Sequence, residues 1–154
     1  MEDSLAVRVL GSGDAVALRA MLGVFGSGFD DLETYTARQP DDAYLEALLA
    51  RDTFVAIAAF AGDAVVGGLA GYVLPKFEQA RSELYIYDLA VDPAQRRRGV
   101  ATALVRAVQR LAAERGSWVV FVQADHGDDA AIALYTKLGV REDVLHFDIA
   151  PAPR

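Results

Sequence analysis

The sequence predicts an α+β fold built on a mixed sheet. Three observations carry that prediction. First, residues 54–74, "FVAIAAFAGDAVVGGLAGYVL", form a long apolar stretch broken by a turn signal at Gly62-Asp63, as in a buried hairpin. Second, residues 82–124 read as strand, helix, strand, which implies parallel pairing through a crossover helix. Third, 154 residues of which 53% are hydrophobic suit one domain with a real core and exclude wholesale disorder.

The elements follow in order. "LAVRVL" (5–10) alternates weakly and reads as a first strand. "DAVALRAMLGVF" (14–25) carries apolar residues at helical spacing, with Gly13 and Asp14 at its start. "GSGFDDLETYTARQP" (26–40) is a polar, acidic loop that ends in a proline. "DDAYLEALLARD" (41–52) is a helix capped by Asp41 or Asp42. After the hairpin, "SELYIYDLAV" (82–91) is the best strand in the chain, rich in Tyr, Ile and Val. "RRGVATALVRAVQRLAAERG" (97–116) is a helix with Val100, Leu104, Ala107 or Val108, and Leu111 on one face and Gly116 past its end. "SWVVFVQA" (117–124) is a buried strand. "DDAAIALYTKLG" (128–139) is a helix with Asp128 at its N-cap and Gly139 beyond it, and "DVLHFDI" (143–149) is a last strand. The order is β-α-α-β-β-β-α-β-α-β.

Composition narrows the function. The net charge is −7, from 22 acidic and 15 basic residues. That argues against a nucleic-acid binder and suits attraction of small cations, although acidity also simply keeps a protein soluble. Without cysteine there is no disulfide, thiolate zinc site or cysteine nucleophile, and His126 and His146 lack metal-ligand spacing, so no metal is expected. The start, "MEDSLAVRVLGSGD", is not a signal peptide, and a cytoplasmic protein is expected. Residues 54–74 are nearly long enough to span a bilayer. Asp63 near mid-membrane would cost about 3 kcal/mol, so no membrane role is expected.

"VDPAQRRRGVATALV" (91–105) places three arginines in an acidic chain, where a strand ends and a helix begins. A helix's first turn has free N–H groups and about half a positive charge, so it binds anions. Gly99 lets backbone approach a ligand, Ala101 and Thr102 keep the approach narrow, and Arg96, Arg97 and Arg98 add charge. The set suits a pyrophosphate. The bland alternative is a solvated basic helix start, but cations are disfavoured there unless an anion joins them. No Lys-Ser/Thr follows the glycine, so this is no Walker loop, and Gly-x-Gly-x-x-Gly is absent.

Arg96-Arg97-Arg98-Gly99-Val100-Ala101 resembles the Arg/Gln-x-x-Gly-x-Gly/Ala signature of the GNAT superfamily of N-acetyltransferases. "LAVDPAQ" and "AIALYTKLG" resemble its neighbouring motifs in order and spacing. "YVLPKFEQARSELYIYDLAV", "VQADHGDDAAIALYTKLG" and "HFDI" are similar to the gentamicin-modifying aminoglycoside 3-N-acetyltransferases of that superfamily. The resemblance implies a mostly antiparallel sheet of about six or seven strands, about four helices and a splay between the fourth and fifth strands. It implies acetyl-CoA as cosubstrate, with the pyrophosphate on backbone N–H groups from Arg96 to Thr102 and the pantetheine arm beside Leu89, Ala90 and Val91. It also implies a homodimer. Two departures stand out. Asp128 occupies a place where many relatives have an Asn facing the cofactor, and "GVREDVLHFDIAPAPR" leaves little room for two final strands.

Acetyl transfer to an amine requires a neutral amine, a donor to the oxygen that gains charge, and a proton for the leaving thiolate. A backbone N–H from Leu89 to Val91 suits the second task. The resemblance gives the third to Tyr135, which by periodicity alone is a helix residue packing on the sheet. Asp88 is the expected base. A carboxylate inside "YIYDLAV" is costly in a buried strand unless it faces a cleft that receives an ammonium, or pairs in a structural salt bridge. Some aminoglycoside 6′-acetyltransferases of the superfamily carry an Asp at the matching place. Asp30, Asp31, Glu33, Glu83, Asp125, Asp128 and Asp129 are further acids at strand and helix ends, where a polycation site would lie; singly, each fits a solvated or capping role. Tyr85 and Tyr87 offer faces for sugar rings, though sheet packing is the commoner use. The expected partner is thus a cationic small molecule, an aminoglycoside. A polyamine, another small amine or a protein N-terminus remains an alternative acceptor, and a non-catalytic acyl-CoA-binding module an alternative class.

Overall fold

The computed structural model describes residues 4–154. Strand β1 (Leu5–Val9) is followed by helices α1 (Ala15–Gly28), α2 (Leu32–Thr36) and α3 (Asp42–Leu49). Strands β2 (Phe54–Ala61), β3 (Ala64–Pro75) and β4 (Ser82–Val91) come next, then a 3₁₀ turn (Pro93–Gln95), helix α4 (Val100–Glu114), strand β5 (Ser117–Val122) and helix α5 (Asp129–Leu138). The chain divides into two compact units, one ending at Gln123 and the other running Ala124–Arg154.

The first unit holds one sheet in the order β1-β2-β3-β4-β5. β1 to β4 pair antiparallel, and β4 pairs with β5 in parallel, as a crossover through α4 requires. β2 shows why the hairpin sequence lacks polar alternation. Its Val55, Ile57 and Ala59 pack with Val100, Leu104, Val108 and Leu111 of α4, while Phe54, Ala56 and Ala58 pack with Leu18, Met21 and Phe25 of α1 and Leu45 and Leu49 of α3. Helices on both faces bury both sides of the strand. Each fully buried aliphatic side chain contributes about 1.5–3 kcal/mol to that core. The turn at Gly62-Asp63 forms as expected, with Gly62 at φ 60.

Two irregularities shape β4. Its pairing with β3 runs Ala70↔Asp88 and then Gly71↔Ile86, so Tyr87 is an extra, bulged residue. At Gly71 a Cβ would stand 2.6 Å from the Tyr85 carbonyl oxygen, so only glycine fits opposite the bulge. The bulge resets the alternation of faces. Leu84 and Ile86 lie in the α4-side core; beyond the bulge, Leu89 and Val91 lie on that side and Ala90 on the α1 side. Asp88, two residues from Ala90, is thereby turned away from α4. The second irregularity is a parting of strands. β5 pairs with β4 only from Ser82↔Ser117 to Ile86↔Val122, leaving residues 87–91 without a β5 partner.

Several expectations are corrected. The described residues hold five strands and five helices, against the six or seven strands and four helices expected. The added helix is α2, inside the stretch read as loop, where the Asp31 carboxylate accepts from the Thr34 N–H at 3.2 Å. Residues 143–149 form no strand, and Leu145, Phe147 and Ile149 are 84%, 76% and 90% exposed. Their alternation is strand-like, but a strand exists only where a neighbour completes its ladder, and among the described residues none does. β5 ends at Val122 rather than residue 124, and α4 begins at Val100 rather than residue 97, because Arg97 and Gly99 take positive φ values of 62 and 77. The caps hold: Asp41 and Asp128 start α3 and α5, and Gly116 and Gly139 follow α4 and α5.

Candidate active site

The turn between β4 and α4, expected to bind an anion, lies where the sequence placed it. Gly99 is the N-cap of α4 and carries no side chain to cap it, so the first-turn N–H groups of Val100, Ala101 and Thr102 lack an internal partner. Left-handed backbone at Arg97 and again at Gly99 curls the chain sharply ahead of α4, in a turn of the kind from which anion-binding concavities are built. A Cβ on Gly99 would meet nothing within 4 Å. The glycine is therefore required by its φ rather than by crowding from the protein itself. Arg96, Arg97 and Arg98 are exposed, and among the described residues none forms an ion pair. Arg96 Nη2 donates to the Gly28 carbonyl at 3.2 Å, bracing the turn against the end of α1, and Arg98 Nη1 reaches Gln95 Oε1 at 3.4 Å. Val100 sends its side chain into the core, so only its backbone is free to bind. The turn follows directly from the open half of β4, which contains Leu89, Ala90 and Val91. Free N–H groups, unpaired guanidinium groups and an unpaired strand edge in sequence fit a pyrophosphate joined to an amide-containing arm.

The second part of the site is built around Asp88. Its carboxylate is half-buried, and its Oδ1 accepts from the Tyr35 hydroxyl at 3.1 Å. Among the described residues no cation pairs with it, so the structural salt bridge that the sequence allowed does not form. Burial pushes the Asp88 carboxyl up, and the Tyr35 hydrogen bond opposes that shift. The same charge is felt around it. Tyr72 is raised by burial and then by Asp88, and Tyr85 by burial, Tyr87 and Asp88. Tyr35 is raised by burial, then by Asp88 and, more weakly, by Asp31. Tyr72 and Tyr87 meet edge to face with centroids 6.0 Å apart, as do Tyr85 and Tyr87 at 5.6 Å. The result is a single uncompensated carboxylate on a shelf of phenol rings, suited to a cation with apolar faces.

The other predicted residues are placed as follows. Asp31 caps α2 and lies near enough to Tyr35 to affect it, whereas Asp30 and Glu33 are exposed on the same segment. Glu83 is half-buried on β4, opposite Leu74. Tyr85 stacks flat on Phe121 at 4.6 Å, and its hydroxyl donates to Gln123 Oε1 at 3.0 Å, so its ring is largely committed to the sheet. Tyr87 is 62% exposed. In the second unit, Asp125 is exposed, and Asp128 is spent on the Ala131 N–H at 3.2 Å. Tyr135, on α5, is half-buried; burial, with a contribution from Asp128, pushes its phenol up to about 12. Among the described residues no three metal-ligating side chains sit together.

The comparisons bear on this geometry. The Acetyltransferase (GNAT) family matches residues 25–140, which includes the anion turn, the open half of β4 and Tyr135. The chain belongs to the GNAT family.

Solved structures extend that result. This GNAT chain is 53% identical to an aminoglycoside acetyltransferase from an uncultured soil metagenomic sample, over 97% of this chain and 99% of that one, with a TM-score of 0.95. It is 31% identical to another aminoglycoside acetyltransferase from an uncultured soil metagenomic sample, solved in complex with sisomicin, over 96% and 97% of the two chains, with a TM-score of 0.87. The aminoglycoside N-acetyltransferase AAC(6')-Iy in complex with CoA is 18% identical over 96% and 95%, with a TM-score of 0.74, a likeness of fold alone. No curated protein matches the chain. The GNAT chain is an N-acetyltransferase that uses acetyl-CoA.

Sequence reasoning missed Tyr35 and Tyr72. Tyr72 is the one aromatic residue in the glycine-rich half of the hairpin. Tyr35 sits in an acidic, polar stretch where a buried ring has no periodic signal, and only its isolation among polar residues marked it.

Proposed function

We propose that this GNAT enzyme acetylates an aminoglycoside of the gentamicin type at its 3-amino group, by direct attack in a ternary complex. The observation that carries the proposal is the unpaired, half-buried Asp88 carboxylate among Tyr35, Tyr72, Tyr85 and Tyr87. A polyamine with hexose rings matches such a shelf better than a linear amine does, because the rings cover the phenol faces while an ammonium meets the charge. The relatives described above as aminoglycoside acetyltransferases support the substrate class. The 3-amino position rests on the sequence resemblance.

Acetyl-CoA supplies the acyl group as a thioester. The N–H groups from Arg96 to Thr102 and the guanidinium groups of Arg96, Arg97 and Arg98 bind its pyrophosphate, and the edge at Leu89, Ala90 and Val91 aligns its arm. Asp88 receives the substrate ammonium and takes one proton from it, freeing the nitrogen lone pair. Burial raises its pKa above that of a free carboxylate, which makes it a stronger base. A backbone N–H from Leu89 to Val91 donates to the oxygen that gains charge. Tyr135, protonated at neutral pH because its phenol lies at about 12, gives its proton to the departing sulfur. Holding both substrates together contributes about 7–11 kcal/mol. Asp31 and Glu83 fit the rim around the shelf, with Asp30, Glu33 and Asp125 as further candidates for the remaining ammonium groups.

The enzyme is proposed to be cytoplasmic, where acetyl-CoA is made, and to work as a homodimer. Support for the dimer lies in residues 143–149. His146 Nε2 and Asp148 Oδ1 meet at 2.9 Å, so they share one face, and the alternate residues Leu145, Phe147 and Ile149 expose the other. A second copy carries the same stretch and the same sheet ending in β5, and strand addition between copies satisfies both.

An acetyl-CoA turnover assay with gentamicin and sisomicin, beside spermidine and a peptide amine, tests the function. Preferred turnover of the antibiotics, with NMR placing the acetyl on the 3-amino group, is expected. Preference for spermidine or the peptide would overturn the substrate class, and acetylation at the 6′-amine would overturn the position alone.

A further inference from the structure

We propose that Tyr35 is a positioning residue for the transfer: its hydroxyl holds Oδ1 of Asp88 so that Oδ2 is presented to the amine. This rests on Asp88 being the base.

The geometry supports a fixed donor. Tyr35 lies on α2, a helix of five residues that is held from three directions. Its ring meets buried Phe25 edge to face at 5.9 Å and Phe29 at 5.6 Å. Its carbonyl accepts from Gln39 Nε2 at 3.3 Å, and Gln39 in turn accepts from Arg19 Nη1 at 3.0 Å. α2 also sits close on α1: a Cβ at Gly26 would stand 3.0 Å from Leu32 Cδ2 and 3.3 Å from Leu32 Cα. A ring so placed aims its hydroxyl at one point, and that point is the 3.1 Å bond to Asp88.

The chemistry follows from the inventory around the carboxylate. Tyr35 approaches from α2, Tyr72 from β3, and Tyr85 and Tyr87 from β4 itself, with Asp31 acting on Tyr35 from beyond. None of these is a cation. A free Asp side chain turns about its last bond and offers either oxygen. One oxygen tethered to a donor that stays protonated leaves the other at a fixed place and angle. The tether also favours the ionised carboxylate, because it opposes the effect of burial. Tyr35 transfers no proton to the substrate. It sets where the base stands and at what pH it is ready.

Tyr35→Phe, Asp88→Asn and the double variant test this. Tyr35→Phe keeps the ring and its packing on Phe25 and Phe29. Its kcat is expected to fall roughly 10- to 100-fold, the range for a hydrogen bond to a charged group, with KM changed less than about threefold. In the free enzyme, the Asp88 carboxyl followed by ¹³C NMR is expected to titrate at higher pH in Tyr35→Phe. The double variant is expected to be no slower than Asp88→Asn, since the tyrosine acts only through that carboxylate. An unmoved Asp88 titration, or losses that multiply in the double variant, would overturn the inference. Full activity in Asp88→Asn would instead remove the base assignment on which it stands, and the two failures are distinct.

Discussion

Asp88 carries a stability cost alongside the chemical use proposed for it. Its folded-state pKa is raised, so the folded protein binds this proton more tightly than the unfolded chain does. Its contribution to stability is therefore present at low pH and is lost as pH rises through the raised value. Asp88→Asn removes the buried charge. At neutral pH the variant is expected to melt at the same or a higher temperature in calorimetry while its kcat falls roughly 10²- to 10⁴-fold. Higher pH recovers part of the loss, because more of the amine arrives neutral. A lower melting point with activity intact would return Asp88 to a structural role. Tyr135→Phe tests the other end of the reaction. With the phenol pushed up to about 12 the hydroxyl keeps its proton at ordinary assay pH, and if it is the proposed acid its removal is expected to lower kcat about 10²-fold with CoA binding by calorimetry unchanged.

At the scale of elements, the anion turn depends on backbone conformation. Gly99 has a φ of 77 and open space around the position of its missing Cβ. Gly99→Val is expected to weaken CoA at least tenfold in calorimetry, because a β-branched residue resists that φ and reshapes the nest. The helix α4 itself is expected to survive, with its far-UV circular dichroism retained, since Leu104 and Val108 anchor it. Unchanged CoA affinity would sink the anion site. Much of the element layout was legible because its signals are local: the bounds of β4, the Gly62-Asp63 turn, and the caps Asp41, Asp128 and Gly139. The bulge at Tyr87 was not. Read as straight alternation, Leu84, Ile86 and Asp88 share a face, and one extra residue reverses that without altering composition. α2 was not legible either, since five residues are too few to show a helical period. The left-handed glycine turn before α4 could be read from residues adjacent in sequence, but the partnership of Tyr35 with Asp88 links residues far apart in the chain.

At the scale of the whole molecule, the stretch 143–149 has the alternation of a strand and an exposed apolar face in the single chain. The sequence carried the pattern but gave no sign of which strand, or whose, would lie beside it. Replacing Leu145, Phe147 and Ile149 together with threonine keeps strand propensity and removes the apolar face. The parent is expected to sediment as a dimer, and the triple variant as a monomer at the same concentrations. Identical sedimentation of the two would remove this stretch from the interface. Among the described residues no helix is long and apolar enough to cross a membrane, in keeping with two buried strands at 54–74.

The parting of β4 from β5 also has a kinetic signature. The interior of a sheet ordinarily exchanges its amide hydrogens slowly, because each is locked in a ladder. Between Tyr87 and Val91 the amides that point away from β3 have no strand to lock them. A fast-exchanging island is therefore expected in the middle of an otherwise protected sheet, bordered by slow amides at Leu84 and Ile86. Adding CoA should slow that island and leave its borders unchanged, so deuterium uptake with and without CoA would reveal when the gap is filled.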